Sequence, residues 1–484
     1  MFMGSFFLFC DWMPAIRYFY TLNQKIYHSL KSADQQQKFF QLREKYPYFV
    51  FQSYQIKQTN GSLKLIFNFN LADTLHFSPE IEIPFRSFYD WNLPEASLQN
   101  LAFHIGMIEL ISYWKLSCAP RVIIRPHQLT EVQLKFWKEL YYQGLGEFFY
   151  LNNIKVSQDD FMQIKSEGSV LKAIETTFSE GVLLPVGGGK DSVVSLELLK
   201  SEKQLIPLMV NPGPASLRCA AVAGFGEEQS AIVKRSLDPL MLALNQQGFL
   251  NGHTPFSALL AFVSLLVSAG TGFRNIALSN ESSASEATVP DTQINHQYSK
   301  SIDFEQDFRN YVSAFIHPQL NYFSLLRPLN ELQIAERFSR HLAYHPAFRS
   351  CNTGSKTDSW CGKCPKCLFT WIVLSPFLRT EEMEAVFGKR MQDDSKLLGL
   401  LESLAGQTAL KPFECVGTVD EVQAVLALHH ARDEELAGSP LLRHYFDKHP
   451  NQPSGEQYLK LLLEERNQLH FVPQKWINKL EDRP

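Results

Sequence analysis

The segment Pro185–Val194, with the sequence PVGGGKDSVV, limits the possible folds of this chain more than any other. The apolar run Val182–Leu184 precedes it and apolar residues at helical spacing follow it, which predicts a strand, a tight loop and a helix. Three consecutive glycines allow a positive φ and a close approach of a ligand to the backbone. The free N–H groups at the start of the helix, together with the charge of Lys190, suit an anion. The loop from Gly187 to Ser192 is therefore predicted to bind a phosphate chain.

The spacing in this loop differs from that of the two common glycine-rich nucleotide loops. A Walker loop separates its glycines by four residues, and the dinucleotide fingerprint has another spacing again. The loop instead resembles the PP-loop of ATP pyrophosphatases, whose pattern is Ser-Gly-Gly-x-Asp-Ser. With glycine in place of the first serine, the matching residues are Gly187, Gly188, Gly189, Lys190, Asp191 and Ser192. The resemblance implies cleavage of ATP between its α- and β-phosphates, and a glycine-rich turn without a ligand is the alternative.

Length and charge exclude several classes of protein. At 484 residues the chain is too long for one ordinary core, so two or three domains are expected. The formal net charge of −4 gives no general attraction to nucleic acid or to an anionic membrane. No run in the sequence approaches the roughly 18 apolar residues that a membrane span requires. The apolar start of the chain lacks the basic region and the cleavage site of a signal peptide, so we expect a cytoplasmic protein.

Three regions differ in their patterns of apolar residues. Residues 1–165 contain strand patterns on both sides of Asn60-Gly61, which predicts a hairpin with a type I′ turn in an α+β domain. Residues 175–375 alternate strands and helices, which predicts an α/β domain with a doubly wound parallel sheet. The PP-loop resemblance implies that this domain has the adenine nucleotide alpha hydrolase-like fold. Residues 376–484 are predicted to form a mainly helical extension.

Four of the eight cysteines lie close together at Cys351, Cys361, Cys364 and Cys367. Four thiolates at this spacing can wrap one tetrahedral ion, and zinc with four sulfurs is a closed structural site. A [4Fe–4S] cluster and cysteines without metal are the alternatives. We expect zinc to secure a connection near the phosphate loop. The remaining cysteines are predicted to be buried small apolar residues: Cys10, Cys118, Cys219 and Cys415.

Polar segments follow the predicted strands at the edge where doubly wound sheets bind ligands. Asn280–Ser285 directly follows one strand, and residues 251–255 and 295–300 have a similar composition. Loops on a rigid sheet often carry function, although solvated surface loops share this composition. We interpret these segments as the walls of a substrate pocket.

Eight short motifs in one order resemble those of the UDP-N-acetylmuramoyl-L-alanyl-L-glutamate epimerases of the MurL type. In chain order they are Gly144–Phe148, Gly187–Ser192, Asn251–His253, Ser279–Ser285, Asn295–Lys300, Ser324–Leu329, Trp360–Cys367 and Lys411–Gly417. In this family the glycine at position 187 is expected. The cysteine spacing is also similar to that of the deazaguanine nitrile synthases, PP-loop enzymes with a structural zinc, which favours zinc over iron–sulfur.

The MurL resemblance implies a bacterial cytoplasmic enzyme of peptidoglycan precursor synthesis. It would invert the terminal L-Glu of UDP-MurNAc-L-Ala-L-Glu to D-Glu, with ATP and Mg²⁺ required and AMP and pyrophosphate released. A ligase that adds L-Glu would act before it. An acyl-adenylate would remove the carboxylate charge that opposes loss of the Cα proton. The candidate catalytic residues are Glu281, His253 and His296 for proton transfer, and Lys300, Arg327 and Lys190 for the enolate oxygen.

Two other functions are compatible with the same motifs. A PP-loop enzyme could use the adenylate to make an amide, a nitrile or a thiolated nucleoside. A PP-loop domain without catalysis could serve as a scaffold stabilised by zinc. ATP consumption would exclude the scaffold, and a required nitrogen or sulfur donor would identify the ligase-type enzyme.

Overall fold

The computed structural model describes residues 35–286, 295, 298–432, 438–451 and 455–481, and the candidate His296 lies outside them. Its strands are β1 (Tyr48–Gln58), β2 (Ser62–Leu71), β3 (Leu75–Phe77), β4 (Glu80–Pro84), β5 (Arg121–Ile124), β6 (His127–Gln128), β7 (Gln163–Ser166), β8 (Ser169–Val170), β9 (Ser179–Pro185), β10 (Leu205–Val210), β11 (Ala231–Ser236), β12 (Phe273–Leu278) and β13 (Asn321–Ser324). Its helices are α1 (35–45), α2 (Glu95–Trp114), α3 (Glu131–Gly144), α4 (Gly146–Leu151), α5 (Lys190–Leu199), α6 (Pro214–Val222), α7 (Pro239–Gln246), α8 (Phe256–Thr271), α9 (Ile302–Phe315), α10 (Glu331–Ser339), α11 (Pro365–Leu374), α12 (Thr380–Phe387), α13 (Leu398–Leu404), α14 (Val419–Arg432), α15 (Pro440–Lys448), α16 (Gly455–Glu464) and α17 (Gln474–Glu481).

One mixed sheet organises most of these strands, in agreement with the predicted α/β class. Its strand order is β13-β12-β9-β10-β11-β4-β2-β1-β5-β7, with β3 paired to β2. Strands β6 and β8 form a separate small sheet. Two apolar cores accompany the main sheet. In the first, α2 packs on α8 and β1, and in the second, α11 packs on α10 and α14.

Strands β9 to β13 form the doubly wound parallel segment that the sequence predicts. The parallel segment begins with β9 at its centre. It adds β10 and β11 on one side, and then the chain crosses over to add β12 and β13 on the other. The carboxyl ends of β9 and β12 therefore lie side by side at the switch point, where such sheets bind ligands. The sequence pattern does not predict β11 or β13, because half of the residues in each are polar.

The hairpin at Asn60-Gly61 is confirmed, but the prediction of a type I′ turn is wrong. β1 and β2 pair antiparallel on either side of the turn, yet neither Asn60 nor Gly61 has a positive φ. The hydroxyl oxygen of Thr59 accepts hydrogen bonds from the backbone N–H groups of Gly61 (3.3 Å) and Ser62 (3.1 Å). The backbone N–H of Thr59 donates to the carbonyl of Ser62 at 3.0 Å. Because the Thr59 hydroxyl accepts the return bond from Ser62, the backbone needs no left-handed residue.

The N-terminal region and the parallel segment share the main sheet. β4 pairs antiparallel with β11, and Ile81 lies opposite Arg235. The Arg235 guanidinium also donates two hydrogen bonds of 2.9 Å to the carboxylate of Glu109 on the buried helix α2. The sheet thus continues across the boundary expected near residues 165–175, and the division into three domains stays a prediction.

The C-terminal helices reach back to the edge of the parallel segment. Trp476 of α17 is buried, and its ring stacks on Phe323 of β13 with the centroids 5.1 Å apart. The indole N–H of Trp476 donates a hydrogen bond of 3.1 Å to the carboxylate of Glu202. The helical character predicted for this region is confirmed. None of the helices among the described residues is long and apolar enough to cross a membrane.

Candidate active site

The glycine loop joins β9 to α5 and depends most strongly on its middle glycine. Gly188 has a φ of +80°, and a Cβ at this position would lie 2.6 Å from the backbone nitrogen of Ser216. At Gly187 a Cβ would meet no atom within 4 Å, and Gly189 is the N-cap residue of α5. Gly188 is therefore required both by its left-handed conformation and by its close contact with α6.

Hydrogen bonds from Ser192 and Arg349 help to hold this loop in place. The Ser192 hydroxyl accepts from the N–H of Gly188 at 3.1 Å and donates to the carbonyl of Gly189 at 2.8 Å. The backbone N–H of Arg349 donates to the carbonyl of Gly188 at 2.9 Å. Ser192 thus stabilises the loop itself, and the segment that leads into the cysteine cluster is attached directly to the loop.

A cavity of about 460 Å³ lies at the carboxyl ends of β9, β10 and β12. This volume suits a small-molecule ligand. Its walls include Gly187, Gly189, Lys190, Asp191 and Ser192 from the loop, Asn211 after β10, Asn280 and Glu281 after β12, and the more distant Lys300, Glu331 and Cys415. The structure therefore brings together the predicted phosphate loop and two of the predicted catalytic residues, Glu281 and Lys300.

Lys190 lies among carboxylates in the wall of this cavity. Its buried ammonium contacts both Asp191 and Glu331. Burial opposes the charge of Lys190, but the two carboxylates together raise its pKa. Burial raises the pKa of Glu331, and the carboxylates of Asp191, Glu281 and Glu421 add to this effect against the opposing charge of Lys190. Lys190 therefore keeps its positive charge between these two acidic side chains.

Three of these acidic side chains could hold a metal ion. Carboxylate oxygens of Asp191, Glu281 and Glu331 lie within 4.8 Å of one another. Carboxylate oxygens are ligands that Mg²⁺ prefers. They therefore fit the ion that the MurL resemblance implies.

Sequence reasoning missed Glu331 and Glu421, because each looks like an ordinary helix start. Asn330 and Gln333 form a capping box around the first turn of α10, where Glu331 lies. Glu421 lies in the first turn of α14, and its carboxylate accepts a hydrogen bond of 2.6 Å from the backbone N–H of Glu331. Acidic residues are common in first turns, so only their burial in the fold distinguishes these two.

Lys300 pairs with a residue from a distant segment. Its ammonium donates a hydrogen bond of 3.2 Å to the sulfur of Cys415, and both residues line the cavity. Burial opposes the charge of Lys300, but Cys415, Glu281 and Asp191 together raise its pKa. Lys300 therefore keeps its positive charge in the cavity.

The position of Cys415 corrects one prediction. Its side chain is only half-buried, at a polar wall, so the interpretation as a buried apolar residue is wrong. The same interpretation is confirmed for Cys118 and Cys219, which are both buried. Cys10 lies outside the described residues.

Arg327 lies behind the cavity and not in its wall as the structure describes it. Its fully buried guanidinium donates hydrogen bonds to the carbonyl oxygens of Glu281 (2.6 Å) and Lys300, and to the carboxylate of Glu305 (3.2 Å). Arg327 therefore joins the two segments that carry Glu281 and Lys300.

His253 also lies outside the cavity wall formed by the described residues. Its Nδ1 is 3.6 Å from a carboxylate oxygen of Glu147. The side chain of Asn152 donates a hydrogen bond of 3.1 Å to the carbonyl of Asn251. The motifs Gly144–Phe148 and Asn251–His253 thus contact each other, outside the cavity wall.

The four clustered cysteines converge beside the glycine loop. The sulfur of Cys364 lies 3.8 Å from that of Cys351 and 3.5 Å from that of Cys367, and the sulfurs of Cys361 and Cys367 are 3.8 Å apart. Zinc bonds of about 2.3 Å at tetrahedral angles place sulfurs about 3.8 Å apart. An iron–sulfur cubane would separate the thiolates further, because its own atoms lie between them. The arrangement fits one tetrahedral ion, and Cys351 also lines the cavity.

Comparisons with known proteins agree with the motif resemblance. Residues 40–325 match the family model described as MurL N-terminal domain, and residues 347–459 match the MurL C-terminal domain. No solved structure matches the chain.

Curated relatives named UDP-N-acetyl-alpha-D-muramoyl-L-alanyl-L-glutamate epimerase match most of the chain. The relative from Salinispora tropica is 32% identical, over 78% of this chain and 84% of its own length. Those from Micromonospora sp. and Xanthomonas oryzae pv. oryzae are 30% and 29% identical, over 83% and 82% of this chain and 91% and 89% of their own lengths. The chain therefore belongs to the MurL family of epimerases.

Proposed function

We propose that this protein is an ATP-dependent epimerase that inverts the terminal L-Glu of UDP-MurNAc-L-Ala-L-Glu to D-Glu. The observation that carries the proposal is the shared cavity: the glycine loop, suited to a polyphosphate, opens onto the same space as Glu281 and Lys300. The names of the curated relatives support this substrate. A ligase that adds L-Glu to the UDP-sugar would supply it.

Activation by ATP would make the Cα proton of the glutamate easier to remove. The Cα–H of glutamate next to an ionised carboxylate is a very weak acid, because its carbanion would place two negative charges side by side. Transfer of AMP to the α-carboxylate, with release of pyrophosphate, removes one of these charges and makes the conjugate base an enolate. The glycine loop and the N-terminus of α5 would bind the phosphates. Cleavage of ATP in this manner is the chemistry of a PP-loop, and we assign that fold to the parallel segment.

Asp191 and Glu331 would hold the magnesium ion. Mg²⁺ in nucleotide sites usually takes one or two carboxylates together with phosphate oxygens, and when bound it would offset the negative charge of the triphosphate. Both carboxylates contact Lys190, whose ammonium lies between them. We assign Glu281 to proton transfer, because its carboxylate helps to raise the pKa of Lys300, the residue proposed to stabilise the enolate.

The remaining candidates take different roles in this proposal. Lys300 stabilises the enolate oxygen with its retained charge. Arg327 is a positioning residue, since it bonds to the backbone of both Glu281 and Lys300. His253 does not face this cavity, so we assign it to the contact between the two N-terminal motifs. The four cysteines would hold zinc as a structural ion, because four thiolates leave it no open position.

The proposal is tested by incubating the purified protein with the UDP-MurNAc-dipeptide, ATP and Mg²⁺ in D₂O. We expect AMP and pyrophosphate, D-glutamate after hydrolysis, and deuterium at Cα of the D-glutamyl product. ADP as the product would contradict the PP-loop assignment. AMP with only L-glutamate, together with a required nitrogen or sulfur donor, would favour the ligase-type enzyme.

A further inference from the structure

Removal of the Cα proton needs a base near Lys300, and the motif Lys411–Gly417 places Cys415 there. Cys415 lines the cavity, and its sulfur accepts a 3.2 Å hydrogen bond from the Lys300 ammonium. We propose that the Cys415 thiolate, stabilised by Lys300, transfers a proton to or from Cα of the activated glutamyl residue. This inference rests on the proposed epimerase function and adds a catalytic residue to it.

The environment of Cys415 differs from that of the two buried cysteines outside the cluster. The sulfur of Cys118 donates to the carbonyl of Lys115 at 3.6 Å, and that of Cys219 donates to the carbonyl of Gly188 at 3.7 Å. Burial raises the pKa of Cys219 to about 12. Cys415 instead receives a hydrogen bond from an ammonium, and an adjacent cation favours the reactive thiolate over the thiol.

The segment that carries Cys415 is attached to its surroundings on both sides. Lys411 forms an ion pair with Glu286, and the ring of Phe413 lies 5.2 Å from that of Tyr150. At the other end, a Cβ on Gly417 would lie 2.4 Å from the Glu421 carboxylate and 2.6 Å from the Phe369 ring. The segment is therefore packed closely on both sides of Cys415, and a fixed base is more effective in proton transfer than a mobile one.

In the proposed step, one proton leaves Cα and another returns to its opposite face. The thiolate forms an S–H bond as the Cα–H bond breaks, and the electron pair moves onto the acyl oxygen to form the enolate that Lys300 stabilises. Glu281 then passes a proton from solvent to the opposite face of Cα. Water hydrolyses the acyl-adenylate whether or not Cα has been inverted, so AMP release does not depend on the proton transfer. The Cys415 thiol then loses its proton to solvent, which restores the thiolate.

The test separates activation of the substrate from proton transfer. Full-length wild type, Cys415→Ala and the control Cys118→Ala are incubated with the UDP-MurNAc-dipeptide, ATP and Mg²⁺ in D₂O. We expect Cys415→Ala to release AMP at close to the wild-type rate but to incorporate deuterium and form D-glutamate about 10²-fold to 10⁴-fold more slowly. Cys118→Ala should resemble the wild type in both.

The possible outcomes distinguish this inference from the function on which it rests. Unchanged epimerisation by Cys415→Ala, or equal loss of AMP release and epimerisation, overturns the role of Cys415 alone. A wild type that releases AMP but yields no D-glutamate overturns the proposed function and this inference with it.

Alkylation tests the partnership with Lys300 independently of turnover. Iodoacetamide should label the Cys415 peptide faster than the Cys118 and Cys219 peptides, as resolved by mass spectrometry. Lys300→Met should slow labelling of Cys415 about tenfold, because the fraction of thiolate falls, whereas Lys300→Arg retains the charge and should preserve the rate. Equal labelling rates in a folded Lys300→Met protein would contradict the proposed pairing.

Discussion

Two walls of the same cavity are built in opposite ways. The loop wall, residues 187–192, comes from six consecutive residues: Gly187–Gly189 lie between β9 and α5, and Lys190–Ser192 begin α5. The assembled wall consists of Glu281, Lys300, Glu331 and Cys415, which belong to four separate segments. In the loop wall the backbone conformation creates the binding surface, whereas in the assembled wall the tertiary fold brings charged side chains together.

This difference has a functional counterpart in our proposal. The loop wall would bind ATP and support activation of the carboxylate, so its variants should reduce AMP release. Most of the assembled wall would act on the Cα proton, so variants such as Cys415→Ala should leave AMP release intact. Variants of each wall therefore test whether the two functions are separable.

Asp191→Asn should have the largest effect, because Asp191 belongs to the loop wall and contacts Lys190. Asparagine keeps the shape of the side chain but removes the charge that orients Lys190 and would bind Mg²⁺. We expect AMP release to fall about 10²-fold to 10³-fold, as measured by chromatography, with little change in thermal unfolding. The matched control is Asp159→Asn, whose side chain is 99% exposed. An active Asp191→Asn enzyme would contradict the proposed role of the loop wall in binding ATP and activating the carboxylate.

Cys361→Ser should show that the cluster beside the loop wall depends on a metal ion. Binding of a structural zinc contributes on the order of 10 kcal/mol to folding in small domains, so loss of one ligand should lower both metal content and the midpoint of thermal unfolding. AMP release should decline as well, because Arg349 connects this region to the loop. Elemental analysis is expected to find one zinc per chain in the wild type. Stoichiometric iron, or an active protein without metal, would contradict the zinc assignment.

Gly188→Ala and Gly187→Ala test whether the backbone shape of the loop wall is the decisive property. Alanine at Gly188 must adopt a φ of +80° and lies against the backbone of α6, which should cost at least about 1–2 kcal/mol of unfolding free energy. Alanine at Gly187 meets no atom within 4 Å, so its unfolding free energy should change by less than about 0.5 kcal/mol. Chemical denaturation compares the two. Equal destabilisation would mean that the positive φ of Gly188 and its close contact with α6 do not set the stability of the loop.

Ser192→Ala and Ser195→Ala make the same comparison within α5, with the smallest expected effect. Ser192 bonds to the loop backbone, and its loss should cost about 0.5–1.5 kcal/mol. The buried hydroxyl of Ser195 has no hydrogen-bond partner among the described residues, so Ser195→Ala should be neutral or stabilising. If Ser192→Ala weakened ATP binding without changing stability, its hydroxyl would bind phosphate directly, as the PP-loop resemblance implies.

The sequence predicted those parts of the site whose properties are local. The glycine loop, the cysteine cluster and the segment after β12 each carry their chemistry within a few residues, and the structure places all three around one cavity. The hairpin at Asn60-Gly61 followed from two strand patterns, but its turn type did not, because the Thr59 hydroxyl accepts hydrogen bonds from Gly61 and Ser62.

The sequence could not indicate which side chains would share a buried environment. Glu331 and Glu421 have the pattern of helix starts, and Cys415 that of an apolar cysteine, until the fold places them beside Lys190 and Lys300. For Arg327 and His253 the residue type suggested a direct catalytic role. In the structure Arg327 bonds to the backbone of Glu281, and His253 contacts Glu147.

By itself, the sequence determined the family, the α/β class of the parallel segment and the loop that suits phosphate, because these depend on short-range periodicity, glycine geometry and ordered motifs. Only the tertiary structure decided that β4 joins β11 in one sheet and that Glu331 and Cys415 reach the cavity. The physical reason is that long-range pairing and burial depend on how the whole chain packs. A charged or thiol side chain acquires its reactivity only from neighbours that lie far away in the sequence.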